Sequence, residues 1–356
     1  MSRELAFRYE LLRGGAYCAL LKAEARTPRV RVNSADRLKM LLTASFAPVA
    51  RDVDGRPVEI DWLNDEVRPV MILDGVEHPL GVYVFAKPQE QTSGPTKSVS
   101  VSAYDRGKKV ADANSESLVY WPRGTLYLDA AEQLLTAAGI NTVFRTPSAA
   151  AFATPREDWK AGTPDLDIVN QLLDEISYNP LWFDLNGSAV LEPAIVPNAA
   201  AVKHTLDTSD PGTRVIAGNF SRTRDFFSAP NVFIVICENP ELGAPLSAES
   251  VNDNPQSPLS VPRRGRRIVK VTRVDNLPSQ AAAQAYADRQ RDESMISGET
   301  IELETGLLPG WGVGDVVSLT HEGEVSICVS KSYSMELCAG GRMTHVLEKV
   351  VYNLDV

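Results

Sequence analysis

Val70-Met71-Ile72-Leu73-Asp74-Gly75-Val76-Glu77-His78-Pro79-Leu80-Gly81-Val82-Tyr83-Val84-Phe85 is the stretch that decides the fold class. Two apolar runs flank Asp74-Gly75, a pair that supplies the positive φ a tight hairpin turn requires. Downstream, Ser98-Val99-Ser100-Val101-Ser102-Ala103-Tyr104 alternates strictly, which gives a strand one polar and one apolar face. With Arg29–Val32 and Leu41–Phe46, the first hundred residues hold enough strands to close a small barrel or sandwich.

The pattern changes near Asn114. From Thr125, read as an N-cap, Leu128, Ala131, Leu134, Leu135 and Ala138 recur at helical spacing and stop at Gly139. A second helix opens at Thr163-Pro164 and places Leu166, Val169, Leu172, Leu173 and Ile176 on one face. Leu181–Leu185, Asn186-Gly187 and Ser188–Leu191 then read as a hairpin. The stretch Thr146–Gly162 between the helices reads as a long loop. Strands return from Phe220, interrupted by a polar, exposed loop over Asn239–Pro262. A basic strand follows Arg263, and a helix with Ala282, Ala285, Tyr286 and Arg289 on one face runs from Ser279 to about Met295. The last sixty residues are strands. The expected class is mainly β with an α+β insert: a first β-barrel domain over 1–110, the insert over 111–195, and a second barrel over 196–275 and 297–356. A helix over 276–296 packs on that second barrel.

Composition narrows the function. A 44% hydrophobic, 23% charged chain is an ordinary globular one, and its 23 glycines and 23 prolines point to turns rather than disorder. The charged first ten residues lack the apolar stretch of a secretory signal, so export by that route is not expected. The longest apolar run, about Val232–Cys237, is far short of the ~20 residues of a membrane span. Cys18, Cys237, Cys328 and Cys338 form no CxxC pair and are expected to be reduced thiols, which fits synthesis in a reducing cytoplasm. A net charge of −10 disfavours general binding to nucleic acid and suits either plain solubility or a conduit past which DNA must slide.

The chemistry-bearing motifs are missing. The nucleophile elbow, phosphate loop, H-E-x-x-H and EF-hand patterns do not occur. His78, His204, His321 and His345 lack metal-ligand spacing, and His321–Glu324 coincides with an expected turn. Gly310-Trp311-Gly312-Val313-Gly314-Asp315 leads into a strand, so no helix N-terminus waits to receive phosphate. Asp315 or Glu322 could serve a glycosidase only beside a second carboxylate that sequence does not place. No catalytic residue, metal ligand or cofactor site is therefore expected. The one local charge anomaly is Arg263, Arg264, Arg266 and Arg267, read either as an interface for an acidic neighbour or DNA, or as a guard against edge pairing of the strand Ile268–Val271.

The order of these segments resembles phage tail-tip or baseplate hub proteins, as in contractile and long non-contractile tails. Ser100–Asp112, with its Tyr104-Asp105-Arg106, resembles the element that closes their first β domain. Leu126–Gly139 and Asp165–Pro193 are similar to their helix and helix–hairpin module, and Phe220–Glu238, the basic strand, the alanine-rich helix and Gly306–Val317 to their closing half. The resemblance implies two tube-like β barrels per chain and a homotrimer that mimics the sixfold symmetry of the hexameric tail tube. It implies a structural, non-enzymatic protein at the virion tail tip. Its partners would be the tube or distal tail protein, the tape-measure protein and the central spike or fibre, with DNA passing unbound during ejection. A cell-wall hydrolase fused in some longer relatives is expected to be missing or separate here. The alternatives are a tail-associated cell-wall hydrolase and a carbohydrate- or receptor-binding tail module.

Overall fold

The computed structural model describes residues 4–350 apart from 25–26, 94–95, 195–196, 211, 213–214, 225–228, 239–244, 275 and 297–298. The N-terminal strands are β1 (Leu5–Arg13), β2 (Ala16–Leu21), β3 (Arg29–Asn33), β4 (Met40–Phe46), β5 (Val49–Arg51), β6 (Pro57–Glu59), β7 (Glu66–Leu73), β8 (Val76–Pro79), β9 (Tyr83–Phe85), β10 (Gln89–Ser93) and β11 (Thr96–Asp105). Antiparallel ladders run β2–β1–β7–β9–β11–β4. Beyond β2, Ala23 sits opposite Phe46 and the Glu24 N–H donates to Ser45 O at 2.7 Å, so the ring closes as a barrel. Alternation fills it: Leu42, Ala44 and Phe46 of β4 and Val99, Val101 and Ala103 of β11 point into the core. Asp74 and Gly75 take φ of 51° and 82°, the tight turn expected of the pair. The strand paired across it is β8, Val76–Pro79, and not Gly81–Phe85, whose β9 meets β7 only at Glu66 and Val67.

After the barrel come α1 (Gly107–Asp112), α2 (Tyr127–Ala137), β12 (Val143–Arg145), α3 (Asp165–Glu175), β13 (Trp182–Phe183) and β14 (Ala189–Leu191). Leu126, not Thr125, stands at the N-cap of α2, because the Thr125 hydroxyl donates back to Pro122 O at 2.9 Å. Thr146–Gly162 is a long loop without helix or strand, as expected, and it sends Phe152, Arg156 and Trp159 into the core. Its role follows from an internal duplication. Trp121-x-x-Gly124-Thr125-x-x-Leu128-Asp129-x-x-x-Gln133-Leu134-Leu135 recurs as Trp159-x-x-Gly162-Thr163-x-x-Leu166-Asp167-x-x-x-Gln171-Leu172-Leu173 at a constant offset of 38 residues.

The contacts repeat with the residues. Trp121 Nε1 donates to Gln133 Oε1 at 3.0 Å, and Trp159 Nε1 to Gln171 Oε1 at 2.8 Å. The Ile140 and Tyr178 N–H groups cap the two helices on Leu135 O and Leu173 O, both at 2.9 Å. Between the copies the exchange is reciprocal: Gly124 N–H donates to Phe152 O and Gly162 N–H to Ser115 O. The two indoles meet edge to face at 5.6 Å. Strands β12 and the Leu181–Phe183 segment occupy equivalent positions and flank β14.

The second copy alone carries a buried ion pair. Arg156 Nη1 lies 2.6 Å from Glu175 Oε2, with both side chains essentially sealed from solvent and the guanidinium 4.5 Å from the Trp159 ring centroid. Burial holds the Glu175 carboxyl up at about 7 even with Arg156 opposing the rise.

The C-terminal elements are β15 (Val202–Asp207), β16 (Val215–Arg224), β17 (Val232–Cys237), β18 (Leu246–Val251), α4 (Val261–Arg264), β19 (Val269–Val274), α5 (Gln280–Ile296), β20 (Glu299–Gly306), β21 (Val316–His321), β22 (Glu324–Glu336) and β23 (Arg342–Lys349). Six of these strands form the second large sheet, in the order β16–β20–β23–β22–β21–β15, with β15 parallel to β21. Residues 232–274, expected in that sheet, are not in it. They form a separate sheet, β18–β17–β19, because Val235, Cys237 and Ala248 pack with α5 rather than in the large core. Leu246–Val251, expected as loop, is therefore a paired strand. The buried stripe of α5 is Ala283, Tyr286, Ala287 and Gln290, displaced from the expected Ala282, Ala285 and Arg289.

The two large sheets are one hydrogen-bonded surface. β3 pairs with β4 on one side and with β22 on the other, Arg29 opposite Glu336 and Asn33 opposite Ser332. Leu337 N–H to Pro28 O and Ser34 N–H to Lys331 O extend the ladder at both ends. Arg156→Met is expected to cost about 3–5 kcal/mol in urea unfolding by stranding the Glu175 charge, whereas Arg156→Met with Glu175→Leu recovers most of that loss.

Candidate assembly surfaces

Tyr104-Asp105-Arg106-Gly107 ends the first barrel and begins the inserted module. Asp105 is buried and accepts the Met40 N–H at 2.7 Å and the Gly107 N–H at 2.9 Å. Burial pushes its carboxyl up to about 6 against those two donors. Arg106 forks onto Glu66 of β7 at 2.6 and 3.0 Å and donates to Gly187 O at 2.9 Å. Glu66, also held by Lys109 at 2.8 Å, is buried but kept below the usual carboxylate range by those two cations. The module hairpin thus rests on the barrel. A Cβ at Gly187, where φ is +81°, would stand 2.8 Å from Val82 Cβ.

The arginine cluster lies on the small sheet. Ser260 caps α4 by accepting the Arg263 N–H, and Gly265 ends it at φ +63°. Asn231 anchors the following turn: its Nδ2 donates to Leu259 O and Arg266 O, and its Oδ1 accepts the Ile268 N–H at 2.7 Å. Arg264 donates to Ala229 O, Arg267 pairs with Glu249 at 2.7 Å, and Arg263 is exposed. Arg263 and Arg264 therefore end α4, and Arg266 and Arg267 lie on the turn that leads from it into β19. Lys270 and Arg273 carry the basic surface along β19, the basic strand expected after Arg263.

Three of the four histidines make contacts within the second large sheet and the turns beside it. His204 stacks on Trp311 and its Nε2 lies 2.9 Å from Asp315, which Lys203 also pairs with and which accepts the Gly312 N–H. That set pins the glycine-rich turn to β15. His345 is fully buried with Nε2 2.8 Å from the Thr305 hydroxyl, and burial holds it down to about 3, neutral in the fold. His321 meets Thr208 and stacks on Phe220. Among the described residues no group of His, Cys, Asp and Glu could hold a metal ion.

Two open grooves of about 470 and 490 Å³ share Arg31 and Leu41 on the outer face where β3 and β4 meet. Their cations carry no surplus charge, since Arg29, Arg31, Arg37 and Lys108 pair with Glu336, Asp36, Asp167 and Asp112.

Across nearly its whole length the structure superposes on solved tail proteins. The tail protein from Neisseria meningitidis MC58 matches with a TM-score of 0.66 at 14% identity, over 96% of each chain. The chain has the fold of phage tail proteins. The 43 kDa tail protein of prophage MuSo2 from Shewanella oneidensis matches with a TM-score of 0.64 at 14% identity, over 97% of this chain and 99% of that one. An E. coli protein, described as a type VI secretion component similar in structure to the T4 bacteriophage tail proteins gp27 and gp5, matches at 0.51 and 11% identity, over 92% of this chain and 74% of that one. No family model and no curated protein matches the sequence.

Because the folded Asp105 titrates near 6 and an unfolded aspartate near 4, the folded state holds the extra proton between those values, and this group's contribution to stability falls as pH rises through that window. Asp105→Asn should remove that slope, a difference of about 3 kcal/mol between the two proteins' pH profiles in urea unfolding. Gly187→Ala should loosen the barrel–module corner, seen as faster proteolysis near residues 184–188.

Proposed function

We propose that this chain is a structural hub at the tip of a phage-type tail, joining the hexameric tube to a spike or fibre as a homotrimer through which DNA passes. The observation that carries the reading is the β4–β3–β22 ladder, which joins two six-stranded blocks edge to edge within one chain. Three such chains would offer six blocks to a sixfold tube, and closing the ring would cover strand edges that a lone subunit exposes. The domain division that fits this reading is a barrel over 1–110, a module over 111–195 and a second block over 196–356, from which residues 232–296 are set apart.

The position of the arginines on the small sheet, away from both large sheets, supports their facing a protein neighbour rather than a channel that carries DNA. None of the five tryptophans is exposed, which counts against the tryptophan-lined groove of a carbohydrate-binding tail module.

Mass photometry should find a trimer, and a reconstruction of the tail tip should show a channel lined by neutral and acidic side chains. A monomer, a sixfold ring or arginines 263–267 in the lumen would refute the reading. On a zymogram of host cell wall the purified protein should leave no lytic band.

A further inference from the structure

β19 is the outer strand of the β18–β17–β19 sheet, and among the described residues no strand pairs with its far side. Its parallel ladder with β17 determines which backbone groups point where. The Asn231 and Val232 N–H groups both reach Ile268 O. Even-numbered residues therefore turn their ladder groups inward, and the N–H and C=O of Val269, Val271 and Arg273 point outward. Native edges are usually blunted by a bulge, a proline or a covering element. Among the described residues this one has no bulge, proline or covering element. Its guard is charge, Lys270 and Arg273, which repels a basic strand but favours an acidic one, and Val269 and Val271 are 49% and 46% exposed.

The face opposite α5 continues the apolar surface, with half-buried Ile234 beside Val271 and half-buried Ile236 beside Arg273. The charge is equally one-sided. Val261–Val274 holds six cations and no carboxylate in a chain of net charge −10. Glu249 answers Arg267, while Arg263, Lys270 and Arg273 have no ion pair among the described residues.

We propose that the free edge of β19 is a docking strand for an acidic, extended segment of another tail component. The segment adds to the sheet through main-chain hydrogen bonds to Val269, Val271 and Arg273 and sets its carboxylates against Arg263, Lys270 and Arg273. Duplex DNA would answer the charge but neither the ladder nor the valines. The proposal deepens the interface reading of the arginine cluster and relies on the hub reading only for the partner's origin. The peptide measurement does not require a trimer, and mass photometry does not require the peptide, so the two readings fail separately.

Lys270 lies on the α5 side of the sheet, with Thr272, and Arg273 on the opposite side, with Val271. The test therefore uses the full chain and a fluorescein-labelled extended peptide of glutamate and valine with glutamates on both faces of the added strand. Fluorescence anisotropy should show saturable binding that weakens about tenfold or more with Lys270→Glu/Arg273→Glu. A probe N-methylated at alternate residues keeps the side chains but cannot complete the ladder, and should not bind. Hydrogen exchange should slow at Val269 and Val271 on binding. Absent saturable binding, equal binding of the N-methylated or a lysine-for-glutamate probe, or displacement of the peptide by duplex DNA would overturn the proposal.

Discussion

Strand β3 is hydrogen-bonded on both edges, and every feature of this chain larger than one barrel depends on it. Its inward side chains, Val30 and Val32, are buried against Leu42 on one side and Tyr333 and Met335 on the other, so the two large sheets share a continuous core. The ladder joins residues some 300 positions apart, as the Arg29–Glu336 pair shows. That distance is tolerable because loop-closure entropy rises only about 0.6 kcal/mol for each doubling of loop length. A whole module and a second sheet can therefore sit between the two partners. Slow, non-local pairing is the consequence for folding.

What lies between is tied at both ends. Arg106 fastens the module hairpin to β7 through Glu66 and Gly187. At the far side Asp174 of α3 takes the Tyr286 hydroxyl and the Arg289 guanidinium of α5. The module thus bridges the first barrel and the small sheet. Its duplicated Trp–Gln units give it a core of its own, and only the second copy has replaced part of that core with an ion pair, Arg156–Glu175.

Local signals were legible in the sequence. Asp74-Gly75, Gly139, the apolar faces of α2 and α3 and the Asn186-Gly187 hairpin all act through neighbours within a few residues, where propensity and turn chemistry decide. The 38-residue repeat was equally open to view, because its Trp, Gly-Thr, Leu-Asp and Gln-Leu-Leu positions recur at constant spacing. Pairing partners were not legible. Whether Val232–Cys237 joins the large sheet or its own turns on which face meets α5, and alternation alone does not distinguish two apolar destinations. The arginine cluster was visible as composition, whereas its alignment with an open strand edge needed the β17–β19 register.

The three cores are unequal, and that inequality orders local stability. The shared core of the large sheets and the module core are rich in leucine, valine and aromatic side chains. The core under the small sheet has Val235, Cys237, Ala248, Leu277, Ala283, Tyr286 and Ala287. Alanine and cysteine bury little area, so at roughly 25 cal/mol per Å² this unit gains the least from burial and leans on the Asp174 contacts to stay docked. Elements that rearrange or bind are drawn from the low end of such a scale. A strand completing β19 would give this sheet hydrogen bonds and apolar cover, the two things it has least of, whereas either large sheet already has its core closed and its joining strand paired on both sides.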